Sequence, residues 1–169
     1  MKAIFAAALA GFAFASAVQA APAPIDRLTS VGPDGKPAFI LKGVIIPAGY
    51  ETFYLSGQLP DPIDPANAKT IEDFGDTRTQ TVSTLKKIKA ILESKGYTMA
   101  DVVKMQAFLA ADPKLGKIDF TGFNAGFKDS FGSEANPNTV ARSTFQVANL
   151  VAPMYLVELE VTAVKAPKK

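Results

Sequence analysis

The sequence predicts a single α+β domain in which one β-sheet carries two helices on the same face. Two kinds of apolar periodicity support this class: several segments alternate every second residue, and two repeat apolar residues every three or four positions. Their order is strand, helix, strand, helix, strand, strand, which right-handed crossovers fold into one sheet. The chain has 169 residues, enough for one domain with its own core.

The N-terminus has the features of a secretory signal peptide, residues 1–20. Lys2 precedes an apolar run over residues 3–17, and residues 18–20 offer the small side chains that a signal peptidase reads. The run is shorter than the roughly 20 residues that span a bilayer, so cleavage near Ala20 is expected rather than an uncleaved anchor. The sequence therefore predicts export to the periplasm, without stable membrane insertion.

The mature chain divides into three parts. Residues 21–37 are predicted to be a leader that ends in a proline- and glycine-rich turn, residues 38–165 the folded domain, and residues 166–169 a tail. No internal repeat or second domain is indicated.

The first half of the domain is predicted to hold extended chain and one long helix. Residues 38–44 are extended, and residues 51–57 alternate as a strand does. The proline- and aspartate-rich segment 58–74 is a loop long enough to cover a site. A helix is expected over residues 77–94, ending before Gly96, with a stripe formed by Val82, Leu85, Ile88 and Leu92.

The second half of the domain is predicted to supply three strands and a shorter helix. Residues 101–109, 139–147 and 154–161 are rich in β-formers. A helix over residues 117–131 carries four phenylalanines at helical spacing, for which core packing is the expected role: Phe120, Phe123, Phe127 and Phe131.

Composition excludes several kinds of chemistry. The chain has no cysteine and no histidine, which removes thiol nucleophiles, Ser-His-Asp triads, imidazole bases and the usual zinc sites. No metal and no cofactor are predicted. Without Lys2 the chain has 17 basic and 16 acidic residues, and this near-neutral balance disfavours binding to nucleic acid.

Arg142 is the residue that points most directly to a site. It lies within a β-branched and weakly polar strand, where an arginine is costly unless an anion meets it. Its planar guanidinium suits a carboxylate. Glu158 is a candidate second member of the site, and a simple hairpin of the last two strands would place the two residues opposite each other as a salt bridge.

Strand alternation predicts which face each of these residues occupies. Arg142 and Thr144 share one face of their strand, and Phe145 lies on the other. The more apolar faces are expected to pack against the helices, which would leave Arg142, Thr144 and Glu158 on the semi-polar side of the sheet. Because a face of that kind often meets another subunit, an oligomer is expected.

Several motifs in a fixed order carry a family resemblance. They are Ser56-Gly57-Gln58 with the following proline loop, Gln80 ahead of the 85–93 segment, Asp101-Val102-Val103-Lys104, Phe120 with Asn124, the segment 141–147, and Val157-Glu158-Leu159-Glu160. In this order and spacing they resemble the RidA (YjgF-type) reactive-intermediate deaminase family, over residues 53–164. The resemblance implies a chorismate-mutase-like fold, with a single mixed sheet, two helices on one face, and a homotrimer with sites between subunits.

The resemblance also bears on the placement of Arg142 and Glu158. It implies that the strand over residues 101–109 lies between their two strands, which sets them two strand spacings, roughly 10 Å, apart. This separation disfavours a direct salt bridge and leaves room for a small ligand.

Hydrolysis of enamines and imines, such as 2-aminoacrylate or 2-iminobutanoate, to 2-keto acids and ammonia is the activity that the resemblance implies. In this reading Arg142 binds the substrate carboxylate and Glu158 activates the attacking water. The remaining pocket residues are Ser56, Gly57, Thr144 through its backbone N–H, and Phe120 and Asn124 from a neighbouring subunit. Because water adds to an imine carbon that is already electrophilic, this reaction needs no histidine.

Two departures and one alternative accompany the resemblance. Many members carry a tyrosine where this chain has Gly43-Val44-Ile45-Ile46, and Thr144 stands where some have cysteine. The alternative is a non-catalytic trimer that binds small carboxylates or acts as a chaperone. RNA cleavage, an activity for which some members are named, is disfavoured by the near-neutral charge and the absence of histidine.

Overall fold

A computed structural model describes residues 23–167, which form an α+β domain as predicted. The strands are β1 (Asp26–Leu28), β2 (Gly43–Ile45), β3 (Glu51–Gln58), β4 (Val102–Leu109), β5 (Ala141–Gln146) and β6 (Val157–Lys165). The helices are α1 (Ile71–Phe74), α2 (Thr77–Ser94) and α3 (Phe120–Lys128). The predicted signal peptide lies outside the described residues. No helix within residues 23–167 is both long and apolar enough to cross a bilayer.

Four of the strands form one mixed sheet in the order β3-β6-β4-β5. The β4 and β5 strands are parallel, and the two other pairings are antiparallel. The β4 strand therefore separates β5 from β6, as the resemblance implied. This order excludes the simple hairpin that would have paired Arg142 with Glu158.

The α2 helix has the bounds predicted from its apolar period. The Asp76 side chain accepts a hydrogen bond from the Thr79 N–H at its start, and Gly96, with φ of 76°, follows its end. Its buried stripe includes Leu85, Ile88 and Leu92. These side chains pack with α3, β4 and β6 in one core, so both longer helices cover the same face of the sheet.

The α3 helix is shorter than the predicted span of 117–131. The Asp119 side chain caps its start by accepting a hydrogen bond from the Gly122 N–H, and the helix ends at Lys128. The phenylalanine stripe packs as predicted at three positions, because Phe123, Phe127 and Phe131 are buried in the core. Phe120 differs, being 46% exposed.

Two loops are fastened to α2 by polar side chains. The loop after β3 contains α1 and is held by the Lys87 ammonium, which donates to the Leu59 carbonyl at 2.8 Å. The fully buried Gln80 amide donates to the carbonyls of Gly75 and Met154 and accepts the Leu156 N–H. Gln80 therefore sets the chain's entry into β6, two residues before Glu158.

An N-terminal arm, residues 26–45, folds along the free edge of β5. Its strands β1 and β2 pair antiparallel, and the Leu41 N–H donates to the Val140 carbonyl at 3.0 Å. The Arg27 guanidinium donates to three carbonyls of the main domain: Ala100, Val102 and Thr139. Part of the segment predicted as a leader is thus ordered structure docked on the sheet.

Candidate functional site

Arg142 points to the helix side of the sheet, contrary to the sequence-based expectation. It pairs in register with Met105 and Thr144 pairs with Ala107, and both of these β4 residues are fully buried beneath the helices. Paired residues of neighbouring strands project to the same face. The predicted orientation of β5 is therefore wrong, and Phe145 occupies the outer face instead.

Aromatic rings surround the Arg142 guanidinium. Its carbon lies 4.5 Å from the ring centre of Phe127, 4.8 Å from that of Phe123, 5.2 Å from that of Phe39 and 5.9 Å from that of Phe120. Rings at these distances attract a cation through their faces. The guanidinium thus sits in a cage of four phenylalanines.

The hydrogen bonding of Arg142 is incomplete. Its Nη2 donates to Asn124 Oδ1 at 2.7 Å, but Nε and Nη1 are buried and have no partner in the described part of the chain. No carboxylate among the described residues forms an ion pair with it. Burial lowers the pKa of Arg142 from its ordinary value to about 10, because the charged form loses water without gaining an anion.

Thr144 presents its backbone to the same edge. The Val147 N–H donates to the Leu109 carbonyl of β4, and donors alternate in direction along a strand of a parallel pair. The Thr144 N–H is therefore directed away from β4, towards the edge of the sheet. Arg142, Thr144, Asn124 and Phe120 together form the first group of predicted site residues, and all four belong to one chain. The expectation that Phe120 and Asn124 would have to reach Arg142 from a neighbouring subunit is thus corrected.

The second group lies on the outer face of the sheet. Glu158 pairs in register with Phe108, whose ring stacks on Phe145 at 5.8 Å. The Glu158 side chain lies over Gly57, where an added methyl carbon would come within 2.9 Å of the Glu158 carboxyl carbon. Glycine at position 57 leaves room for this carboxylate, which a methyl group there would displace.

Ser56 completes this outer group. It lines a cavity of about 330 Å³ that also includes Lys104, Gln106 and Glu160. Glu160 also lines a neighbouring cavity of about 280 Å³ together with Glu158. Ser56, Gly57 and Glu158 thus share one polar surface.

Within one chain the sheet separates Arg142 from Glu158. Arg142 faces the helices and Glu158 faces outward, so the predicted arrangement of both on one polar face is wrong. Alternation gives two faces for β5 but does not tell which one meets the helices. The register with β4 decides this, and the surrounding rings make a buried arginine tolerable.

Each group suits a different chemical task. The first offers an unpaired cation and a free backbone donor, which bind a carboxylate. The second offers a half-buried carboxylate beside polar side chains, which can position water. The described residues contain no cluster of three or more acidic side chains that could hold a metal ion.

Comparison with protein families identifies the fold's relatives. Residues 47–165 match the family model described as Endoribonuclease L-PSP. This chain belongs to that family.

Relatives within the Endoribonuclease L-PSP family have several names. A RutC family protein of Pyrococcus horikoshii is 35% identical over 112 residues, which are 66% of this chain and 78% of the relative. The 2-iminobutanoate/2-iminopropanoate deaminase of Escherichia coli K12 is 34% identical over 110 residues, covering 65% of this chain and 77% of the relative.

Solved structures of the same family share the fold. The YjgF gene product of Escherichia coli superposes with a TM-score of 0.53 at 29% identity, covering 68% of this chain and 80% of that one. A putative endoribonuclease of Thermotoga maritima gives a TM-score of 0.53 at 28% identity, with coverage of 83% and 93%.

Proposed function

We propose that the protein hydrolyses small 2-imino and enamine carboxylic acids, of the 2-iminobutanoate or 2-aminoacrylate type, to 2-keto acids and ammonia. The observation that carries the proposal is the Arg142 guanidinium, which is buried and has, within residues 23–167, two unpartnered nitrogens and no acidic partner. Such a group favours a ligand carboxylate. The relatives named as iminobutanoate deaminases supply the reaction.

The reaction needs a held carboxylate and an activated water. Arg142 and the Thr144 N–H bind the carboxylate and so fix the neighbouring imine carbon. Water adds to that carbon while Glu158 takes one of its protons. Glu158 passes that proton to nitrogen, which gives a carbinolamine. The carbinolamine hydroxyl then gives its proton to the amino group through Glu158, the carbonyl forms as the carbon–nitrogen bond breaks, and ammonia leaves the 2-keto acid. An enamine substrate is first protonated at carbon to the imine, whose carbon is the electrophile, so no covalent intermediate with the protein is required.

A homotrimer would bring the two groups of residues together. Within one chain they lie on opposite faces, but the edge of β5 in one chain can meet the outer face of another. Arg142 and Thr144 of the first chain would then face Ser56, Gly57 and Glu158 of the second. The exposed aromatic and polar side chains of the outer face, such as Tyr54 and Phe145, suit burial at such an interface.

Activity measurements on matched variants test this proposal. Hydrolysis of enzymatically generated 2-iminobutanoate should fall at least about 100-fold in Arg142→Ala, since a charge-assisted carboxylate contact is lost. It should fall about 100-fold or more in Glu158→Gln. Arg78→Ala and Glu134→Gln are the controls and should keep wild-type turnover, because both side chains are exposed and neither belongs to the two groups of site residues. Wild-type turnover no faster than that of Arg142→Ala would refute the proposal.

The second candidate is a protein that binds small carboxylates without turning them over. The separation of Arg142 from Glu158 within one chain favours it, because the anion site is complete without the acid. It predicts calorimetric binding of 2-ketobutyrate that depends on Arg142 and not on Glu158, with no deamination. A chaperone-like role would instead leave client protection unchanged in both variants.

Export to the periplasm, through cleavage near Ala20, is proposed on the pattern of the first 20 residues. N-terminal sequencing of the protein from cell fractions tests it. A mature chain that begins near Ala21 in the periplasmic fraction is expected, and an intact Met1 or Lys2 in the cytoplasm would refute it.

A further inference from the structure

The four rings around Arg142 differ in what they can contact. Phe123 and Phe127 are fully buried and belong to the core. Phe39 is 37% exposed and Phe120 is 46% exposed. A ligand whose carboxylate reaches Arg142 therefore meets Phe39 and Phe120 with its other atoms, and these two rings form the mouth of the site.

Phe39 is placed there by the arm. The arm folds back on itself, with the Ala38 N–H donating to the Ser30 carbonyl and the Gly32 N–H to the Lys36 carbonyl, both at 2.7 Å. The buried Leu41 then joins it to the edge of β5. The Phe39 ring meets Phe127 edge to face at 6.2 Å. Its position is thus set by backbone contacts, independently of any ligand.

The chemistry of the mouth is apolar. Neither phenyl ring offers a hydrogen-bond donor or acceptor, so a polar substituent on the ligand would lose water without compensation. An aliphatic substituent would gain about fourfold in affinity for each buried methylene. The Lys128 ammonium also lies near the Phe39 ring, with its nitrogen 5.0 Å from the ring centre. The positive charge of Lys128 would favour a ligand with a second carboxylate over one with an aliphatic substituent.

We propose that Phe39 is a specificity-determining residue of the Arg142 site and selects 2-imino acids with larger aliphatic side chains over those with small or polar ones. This inference rests on the proposed function, since it concerns the substrate of the same site. It assigns a role to the arm, which otherwise only extends the sheet.

Calorimetry with stable product analogues tests the inference on the purified protein. The probes are 2-ketobutyrate, 4-methyl-2-oxopentanoate and 2-oxoglutarate. The wild type should bind 4-methyl-2-oxopentanoate about tenfold more tightly than 2-ketobutyrate, because two further carbons are buried. Phe39→Ala should abolish this preference while changing the affinity for 2-ketobutyrate less than about threefold, and Phe39→Leu should retain most of it.

Two control variants separate the possible failures. Val31→Ala changes an exposed residue of the same arm and should leave the preference unchanged. Arg142→Ala should abolish binding of all three probes. A preference for 2-oxoglutarate, or an unaltered preference in Phe39→Ala, would refute the role of Phe39 while Arg142-dependent binding still supports the site. Absence of Arg142-dependent binding in the wild type would refute the proposed function itself.

Discussion

Replacing Arg142 with methionine should stabilise the protein while removing its ligand site. Methionine fills a similar volume among Phe39, Phe123 and Phe127 and makes favourable contacts with aromatic rings. The two unpartnered buried nitrogens cost about 1–3 kcal/mol each. The lost cation–π attraction is worth about 2 kcal/mol in total, and the lost bond to Asn124 about 1 kcal/mol. Together these values leave an expected net gain centred on about 1 kcal/mol.

The pH dependence of this gain follows from the pKa of Arg142. Burial lowers that pKa to about 10, so the charged form is less favourable in the folded chain than in the unfolded one. The free-energy cost of burying the charged guanidinium is fully present below pH 10 and declines as the pH rises further. Measurement at pH 7 therefore captures the whole difference. Bound carboxylate should relieve the same cost in the wild type and have no effect on Arg142→Met.

Urea unfolding followed by far-ultraviolet circular dichroism measures this effect. Both proteins should be compared at one concentration, because any assembly adds to the apparent stability. The midpoint of Arg142→Met should rise by about 0.5–1 M with an unchanged slope. Arg78→Met, at an exposed salt bridge, is the matched control and should change stability by less than about 0.5 kcal/mol. A midpoint that falls in Arg142→Met would show that the cage stabilises the cation without any anion, and would refute this reasoning.

Three further substitutions test other contacts. Gly57→Ala should lower deaminase turnover about tenfold or more by displacing the Glu158 carboxylate, with little change in melting temperature; normal turnover would contradict the role given to that carboxylate. Gln80→Leu should lower the free energy of unfolding by about 3 kcal/mol, measured in urea, because one buried and two partly buried backbone groups lose their partner. Gly126→Ala should lower the free energy of unfolding by about 1–3 kcal/mol, because its methyl group would lie 2.9 Å from Thr81 Cβ; an unchanged urea midpoint would show that the helices can move apart.

Long elements with a strong period were predictable from the sequence. The α2 helix occupies residues 77–94 as expected, since its apolar period and the following Gly96 mark its length. The predicted strand over 101–109 differs by one residue from β4. The burial of the Arg142 guanidinium was also anticipated, because it follows from the β-branched and weakly polar strand around it.

Features that depend on distant contacts were not predictable. The face of β5 is set by its register with β4, and the sequence of β5 alone is compatible with either face. The β1 strand has three residues and pairs with β2 across a long connection, so it has too little alternation to be recognised. The sequence also did not predict that Phe39 lies near Arg142, because only the docked arm brings it there.

The placement of Arg142 and Glu158 on opposite faces has a consequence for complementation between variants. In the proposed assembly each site takes Arg142 from one chain and Glu158 from another, so two inactive variants can repair each other. A cell that makes Arg142→Ala and Glu158→Ala chains in equal amounts would form intact sites at about a quarter of its interfaces by random mixing. A site built within one chain would stay inactive in every mixture. Genetic complementation thus distinguishes a site formed by two chains from a site formed within one chain.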